Sequence, residues 1–204
     1  MTGEKIGLLG GTFDPVHNGH LAIAREARKA LGLAKVALVP AGKPMSRPEE
    51  IITPAEHRLN MLKLAVRGRP GLTVSSEEIE RGGPTFTVDT IADQRRRYGN
   101  DTEIYFIMGW DSLEQLPLWR EPQKLVKMCV LVAVPRPGYP RPDLAALEKK
   151  LPGVAGKVIL LGKPQMNISA TEIRGKVGRG EDISDMVPAA VADYIQKHRL
   201  YKKN

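Results

Sequence analysis

Short apolar runs alternate with longer amphipathic segments along most of this chain. The runs span three to six residues and are bounded by turn residues, which is typical of strands buried on both faces of a sheet. We therefore predict strands at residues 6–9, 36–39, 72–74, 104–108, 129–134 and 158–161. Between and after these strands, helical patterns predict helices at residues 21–31, 55–66, 87–98, 144–150, 171–177 and 188–197.

This alternation predicts βαβ units and a parallel sheet. We expect an α/β fold in which a Rossmann-like, doubly wound parallel sheet is flanked by helices, with residues 1–204 forming a single domain. In such folds, ligands bind beyond the carboxyl ends of the strands, where the first strand turns into its helix. Candidate binding residues should therefore lie directly after strands.

Composition refines the expected partners and location. The chain has 204 residues, 42% of them hydrophobic, and its 31 basic and 23 acidic residues give a formal charge of +8. This charge favours an anionic partner, although the basic residues are spread along the chain. The single cysteine, Cys129, lies in an apolar run, so we expect a buried side chain and no disulfide. Without a membrane-spanning or signal segment, the expected location is the reducing cytoplasm.

The segment G-G-T-F-D-P-V-H-N-G-H, residues 10–20, joins the first predicted strand to the first helix. Its leading glycines allow a close approach of ligand to backbone, and a helix N-terminus favours a polyanion. The segment is neither a Walker A loop nor a dinucleotide-binding G-x-G-x-x-G. If the helix begins near Asn18, His17 and His20 face the same side. The alternative is a capping turn with one exposed and one core histidine.

Over its whole length this segment resembles the signature of the H-x-G-H nucleotidyltransferase superfamily. The resemblance implies that His17 and His20 bind the triphosphate of ATP and support adenylyl transfer. Asp14 and Pro15 are expected only to shape the turn. The resemblance also implies ATP contacts from the first four residues, Gly10, Gly11, Thr12 and Phe13.

A second segment, I-S-A-T-E-I-R at residues 168–174, follows the last predicted strand. Taken alone, Ser169 and Glu172 have the spacing of a helix capping box, and Arg174 could be a surface cation. Alongside the first segment, it resembles the I-S-x-T-x-I/V-R element that completes the superfamily's ATP site. By that resemblance Arg174 contacts the phosphates, while Ile168 and Ser169 line the nucleotide pocket. Together the two segments indicate an adenylyltransferase.

The segment R-G-G-P-T-F-T-V-D-T, residues 81–90, resembles the nicotinate mononucleotide branch of the superfamily. The resemblance implies that Thr85 binds this mononucleotide near its carboxylate, although Thr85 is also suited to cap the following helix. After the second strand, the branch commonly carries a histidine and a lysine that this chain lacks. Lys43 or Arg47 would supply the cation instead, and we assign Lys43 to the mononucleotide site.

The segment M-G-W-D-S-L-E-Q-L-P-L-W, residues 108–119, resembles the same branch. It implies that Gly109 and Asp111 belong to the ATP site and that Trp119 stacks on the pyridine ring. Residues 54–66 and 136–138 resemble the branch more weakly. Within the former, His57 and Arg58 are expected at a helix surface or in packing.

The resemblance as a whole implies transfer of the adenylyl group of ATP to nicotinate mononucleotide. The expected cofactor is Mg²⁺, which accompanies ATP, with no metal ligands on the protein. We expect no nucleic acid or membrane partner, and a homo-oligomer is left open. The alternatives are an adenylyltransferase acting on nicotinamide mononucleotide or phosphopantetheine, and a non-catalytic nucleotide or RNA binder. Acid or amide preference depends on loop geometry.

Overall fold

The structure, a computed structural model, describes residues 3–44, 52–99, 101–164 and 166–202. Within these ranges the strands are β1 (Lys5–Gly11), β2 (Lys35–Pro40), β3 (Lys43–Pro44), β4 (Leu72–Val74), β5 (Pro84–Thr85), β6 (Glu103–Gly109), β7 (Val130–Val134) and β8 (Val158–Leu160). All six predicted strands are confirmed, with small changes at their ends. Two residues of the predicted strands lie just outside the observed ones: Cys129 caps a helix one residue before β7 begins, and Leu161 follows the end of β8.

The helices of the described residues are α1 (Asn18–Leu31), α2 (Ala55–Val66), α3 (Glu77–Arg81), α4 (Thr87–Tyr98), α5 (Trp110–Glu114), α6 (Pro122–Met128), α7 (Leu144–Lys150), α8 (Ala170–Gly178) and α9 (Ala189–Lys197). The six predicted helices are confirmed, and α1 begins at Asn18 as the first turn required. The sequence pattern missed α3, α5 and α6. With five residues each, α3 and α5 are too short to show a clear helical period.

Six strands form a parallel sheet in the order β4-β2-β1-β6-β7-β8. The chain moves outward from β1 in one direction through β2 and β4, and in the other through β6, β7 and β8. The order therefore reverses between β1 and β6, which pair directly. This is the switch point at which doubly wound sheets bind ligands. The predicted α/β class is confirmed.

Alternate side chains of the strands enter two hydrophobic cores, one on each face of the sheet. In β1, Leu9 joins the core beneath α1, α2, α8 and α9, whereas Ile6 and Leu8 join the core beneath α4, α6 and α7. Cys129 lies in the second core, and burial raises the pKa of its thiol to about 12. The thiol is therefore a packing group, as the sequence predicted.

The remaining strands, β3 and β5, form a separate parallel pair of two residues each. They bring the segment after β2 beside the segment before α4, so Lys43 and Thr85 become neighbours. No helix in the described part of the chain is long and apolar enough to cross a membrane.

Candidate active site

The turn between β1 and α1 brings the two histidines of the first segment together. Their rings are stacked with centroids 3.7 Å apart. The backbone N–H of His17 donates to Nδ1 of His20 at 3.2 Å, so a neutral His20 carries its proton on Nε2. His17 is 7% exposed, and its Nδ1 has no hydrogen-bond partner among the described residues. His17 is the N-cap of α1, as the capping alternative requires, but His20 is half-buried, so neither histidine is fully exposed to solvent.

Both imidazoles favour their neutral form in this environment. Burial lowers the pKa of His17 to about 4, and the positive charge of Arg136 lowers it further. Burial also lowers the pKa of His20 well below its usual value, with smaller contributions from His17 and Arg136. At neutral pH the pair therefore presents N–H donors without a positive charge. A bound polyanion would favour protonation of either ring.

At three glycines of the site, neighbouring side chains lie so close that a Cβ atom would crowd them. A Cβ atom at Gly10 would lie 3.1 Å from the Phe106 ring, and one at Gly11 would lie 3.1 Å from the Phe13 ring. At Gly109 it would lie 2.4 Å from Oδ1 of Asp111. These contacts explain why glycine ends both β1 and β6, the strands on either side of the switch point.

Residues 12 and 13 are held in place by two contacts, one from the Phe13 ring and one from the Arg58 side chain. Phe13 adopts a φ of 52°, which is uncommon for a residue other than glycine. Its ring is buried and lies edge-on to His20 with centroids 4.8 Å apart. The carbonyl of Thr12 accepts a hydrogen bond from Nη1 of Arg58 at 2.8 Å. The turn is thus fixed from within the core.

Arg58 also binds three further carbonyls and is 1% exposed. Nη1 donates to Ala41 at 2.8 Å, Nη2 to Gly42 at 3.1 Å and Nε to Thr53 at 2.9 Å. The residue therefore ties the ends of β1 and β2 to the segment before α2, which is the packing role allowed by the sequence. A surface position for Arg58 was wrong.

Arg174 reaches the first turn from the far end of the chain. Its Nη1 donates to the carbonyl of Asp14 at 2.8 Å, three residues before His17. It is carried by α8, whose N-cap is Ser169, and Oγ of Ser169 accepts from the backbone N–H of Glu172 at 3.1 Å. This contact is the first half of the expected capping box. Ile168 is half-buried against the core.

The end of β6 supplies two buried polar atoms that lack partners among the described residues, Nε1 of Trp110 and Oδ1 of Asp111. The other carboxylate oxygen of Asp111 pairs with Arg136, which follows β7 by two residues. Sequence reasoning noted the segment of Arg136 but did not place it in the site. Its position just after a strand, level with Asp111, was the available signal.

A cavity of about 300 Å³ lies beside this strand end. Its walls come from the start of α5, the segment after β7 and the end of β8. The lining residues are Trp110, Arg141, Leu160, Leu161 and Gly162. Apolar walls with a few convergent polar groups are typical of a site for a small molecule.

The residues expected to bind the acceptor lie around the short pair β3 and β5. Oγ1 of Thr85 donates to the carbonyl of Lys43 at 3.3 Å, while the Lys43 side chain is exposed. The cap of α4 is Phe86, so a capping role for Thr85 is wrong. The Arg120 guanidinium lies 4.6 Å from the centre of the Phe86 ring. Sequence reasoning missed this cation, and Arg47 lies outside the described residues.

Trp119 connects the acceptor side to the first turn. Its ring is half-buried and lies edge-on to Phe106, with centroids 6.2 Å apart. Phe106 is the residue whose ring lies over Gly10. His57, in one of the segments of weaker resemblance, lies on α2 and faces α9, with its Nδ1 3.0 Å from the Tyr194 hydroxyl. His57 is therefore a packing residue on another part of the molecule.

Comparison with known proteins finds the same relationship by sequence and by structure. The cytidylyltransferase-like family matches residues 8–176. A protein of Dehalococcoides mccartyi named "probable nicotinate-nucleotide adenylyltransferase" is 47% identical over 201 residues, 98% of each chain. One of Thermomicrobium roseum with the same name is 40% identical over 98% of this chain and 92% of its own.

Among solved structures, nicotinic acid mononucleotide adenylyltransferase of Plasmodium falciparum in complex with NaAD is similar, with a TM-score of 0.78. The two chains are 23% identical, and the alignment covers 97% of each. At this identity the likeness supports the fold. The full-length relatives at 40–47% identity carry the relationship to a family.

Proposed function

This chain belongs to the nicotinate-nucleotide adenylyltransferases of the cytidylyltransferase-like family, and we propose that it transfers the adenylyl group of ATP to nicotinate mononucleotide. The products are nicotinate adenine dinucleotide and pyrophosphate, so the enzyme acts in NAD biosynthesis. ATP binds at the switch point between β1 and β6, and the mononucleotide binds beside β3, β5 and Trp119.

One observation carries this proposal more than any other. The three buried side-chain polar atoms without partners in the described chain are His17 Nδ1, Trp110 Nε1 and Asp111 Oδ1, and all three lie just after β1 or β6. Buried polar groups are rarely left unpaired, so this cluster supports a polar ligand at the switch point. Two of the three residues, His17 and Asp111, are ones that the superfamily resemblance assigns to ATP, and Trp110 lies beside Asp111 in the chain.

The reaction is an in-line displacement at the α-phosphorus of ATP. An oxygen of the mononucleotide 5′-phosphate forms the new bond to this phosphorus, and the bond to the β-phosphate oxygen breaks. Pyrophosphate leaves with that electron pair. The attacking phosphate is largely ionised at neutral pH because its second pKa is about 6. No general base is required, and catalysis rests on positioning and charge stabilisation.

His17, His20 and Arg174 are the catalytic residues in this proposal. Nε2 of His20 donates to the phosphates because its Nδ1 is already occupied by the His17 backbone. The guanidinium of Arg174, on α8, contacts the same turn and supplies a fixed positive charge beside the two histidines. Arg136 adds a second guanidinium from the end of β7. Donors of this kind stabilise the charge that develops during transfer.

The backbone N–H groups at the start of α1 contribute less to phosphate binding than the sequence led us to expect. The N–H of Asn18, the first residue of the helix, donates to the carbonyl of Met186 at 2.8 Å. The N–H of His20 donates to the carbonyl of His17 at 3.0 Å. Phosphate recognition is therefore assigned mainly to side chains and to the turn at Gly10 to Phe13.

Substrate contacts beyond the phosphates follow from the remaining side chains. The free Oδ1 of Asp111 accepts a hydrogen bond from a ribose hydroxyl, and Gly109, Ile168 and Ser169 line the nucleotide site. Trp119 stacks on the pyridine ring, Thr85 recognises its carboxylate, and the exposed Lys43 supplies nearby charge.

ATP enters the reaction as its Mg²⁺ complex, in which the ion lies on the phosphates and lowers their negative charge. Within the described residues, no group of three or more acidic, histidine or cysteine side chains could hold a metal. A cytoplasmic location, a single domain and freedom from nucleic acid partners stay predictions, and a homo-oligomer stays open.

The direct test is to incubate the purified protein with Mg²⁺, ATP and one of three acceptors, then measure pyrophosphate and the dinucleotide product. The acceptors are nicotinate mononucleotide, nicotinamide mononucleotide and phosphopantetheine. We expect kcat/KM for the acid mononucleotide to exceed that for the amide by at least about tenfold, because binding the carboxylate discriminates against its loss. Turnover with phosphopantetheine alone, or no turnover with any acceptor, would overturn the proposal.

A further inference from the structure

The C-terminal segment of the chain holds the histidine turn from both sides. At one side, the backbone carbonyl of Asp185 accepts from Nδ2 of Asn18 at 2.9 Å, beside the backbone bond from Asn18 to Met186 already described. At the other side, the hydroxyl of Tyr201 donates to Oδ1 of Asp14 at 2.6 Å. Asp14 and Asn18 bracket His17, so both anchors lie within a few residues of the reacting groups.

Asp14 is the hub through which the second anchor acts. Its side chain is 4% exposed, and its Oδ2 accepts from the backbone N–H of Thr53 at 3.1 Å. Its backbone carbonyl is the acceptor for Arg174. One residue therefore joins the tail, the segment before α2 and the proposed phosphate-binding arginine, although sequence reasoning gave it no chemistry beyond the turn.

Tyr201 is held for this contact. It adopts a φ of 63°, a conformation uncommon for a bulky residue, which persists where surrounding contacts fix it. Its ring is half-buried and packs against the core beneath α1. Burial, followed by the charge and hydrogen bond of Asp14, raises the pKa of the phenol. The hydroxyl therefore stays protonated and donates a hydrogen bond to Asp14 at any working pH.

We propose that Tyr201 is a positioning residue for adenylyl transfer, whose hydroxyl fixes Asp14 so that His17 and Arg174 keep their relative places. This inference rests on the proposed function. Tyr201 itself touches no substrate. Its loss therefore reduces kcat, because reacting groups that are slightly displaced lose much of their rate advantage, and leaves substrate KM nearly unchanged.

The test compares Tyr201→Phe with Tyr194→Phe, a matched control in the same C-terminal segment. Tyr194 is also half-buried, and its hydroxyl contacts His57 and Asn60 away from the turn. We expect kcat of Tyr201→Phe to fall by about tenfold, with KM for ATP and for the mononucleotide within about twofold of wild type. Tyr194→Phe should retain wild-type kcat, and the two variants should have similar Tm.

A double-mutant cycle separates positioning through Asp14 from a general loss of stability. If Tyr201 acts through this carboxylate, adding Tyr201→Phe to Asp14→Ala, which lacks both acceptor oxygens, causes no further fall in kcat. Multiplicative effects would overturn the proposal, and so would equal kcat values for Tyr201→Phe and Tyr194→Phe. If Tyr201→Phe fails to fold, Asp14→Ala alone removes the acceptor of this hydrogen bond, together with that of the Thr53 bond, and kcat should fall by at least about tenfold.

The two proposals can fail separately. If wild-type protein releases no pyrophosphate with any acceptor, the proposed function fails. If wild-type protein is active with nicotinate mononucleotide and Tyr201→Phe matches it, only the positioning role of Tyr201 fails.

Discussion

The proposed phosphate side and the proposed acceptor side of the site are built very differently. On the phosphate side, His17, His20 and Arg174 sit in or against a turn whose backbone is held by Arg58 and Asp14. On the acceptor side, β3 and β5 are two residues long, and the Thr85 hydroxyl donates to the Lys43 carbonyl at 3.3 Å. Leu118, beside Trp119 in the chain, is 87% exposed.

This difference matches what each side has to recognise. A triphosphate carries charge that must be met by donors already in place, because reorganisation during the reaction would raise the barrier. The acceptor differs from its relatives by a single group on the pyridine ring, which a few contacts can distinguish. We therefore expect substitutions on the phosphate side to reduce kcat, and those on the acceptor side to change KM and specificity.

The largest effect should come from the histidine pair. His20→Ala removes the donor at Nε2 and should lower kcat by roughly 10²- to 10³-fold, and His17→Ala should fall in the same range. Steady-state pyrophosphate release with nicotinate mononucleotide measures both. His57→Ala is the matched control, because this histidine lies on α2 against Tyr194, and it should retain wild-type kcat. Wild-type turnover in both turn variants would remove the basis of the comparison.

Arg174→Lys should have the next largest effect. Lysine keeps the positive charge but loses the fork that allows one guanidinium to bind Asp14 while facing phosphate. We expect kcat to fall roughly 10- to 100-fold. The control is Arg179→Lys, since Arg179 pairs with Glu181 at an exposed site on the segment after α8. Equal activity of these two lysine variants would argue against a phosphate role for Arg174.

On the acceptor side, Trp119→Ala should raise the KM for nicotinate mononucleotide by about tenfold, a typical loss for one stacking contact, and leave the KM for ATP nearly unchanged. Trp119 also packs on Phe106, so Trp119→Phe is needed to separate stacking from packing. It should retain part of the affinity and a Tm near wild type. An equal rise in both KM values would show that the two sides are not independent.

The same difference explains what the sequence could predict. The alternation of apolar runs and helices is a local pattern, so it predicted the order of elements along the chain. The strand order that creates the switch point is a property of the folded sheet. The histidine turn is also local, and its motif was recognisable. Arg58 and Tyr201 were not assigned to it, because their partners lie 46 and 187 residues away in the chain. Only the packing of α2 and the tail brings them to the turn.

Arg136 and Arg120 were missed for a related reason. In the sequence, each has the pattern of an exposed surface cation. The role of each depends on a neighbour that is distant in the chain. Arg136 pairs with Asp111 across the ends of β6 and β7. Arg120 lies over Phe86 at the start of α4. Charge alone does not reveal such pairs, because surface ion pairs are common and contribute little.

The smallest predicted effect concerns stability, where the two sides should respond to pH with opposite signs. Burial lowers the pKa of His17 to about 4, so between pH 6.5 and 4 the unfolded chain binds a proton that the folded chain does not. Stability therefore falls on acidification, by about 1.4 kcal/mol per pH unit at most. Glu78, beneath β3 and β5, has its pKa raised by burial. There the folded chain holds the extra proton, and stability falls as pH rises above 4.5 through the raised pKa.

Urea unfolding of His17→Asn and Glu78→Gln at several pH values between 4.5 and 7.5 tests this opposition. Relative to wild type, His17→Asn should gain stability as pH falls below 6.5, because it removes an imidazole that is costly to protonate. Glu78→Gln should gain relative stability as pH rises, and its amide oxygen can still accept the bond from Thr90, now 2.6 Å long. If the stability of both variants relative to wild type changed in the same direction with pH, the predicted opposition between the two sides would be wrong.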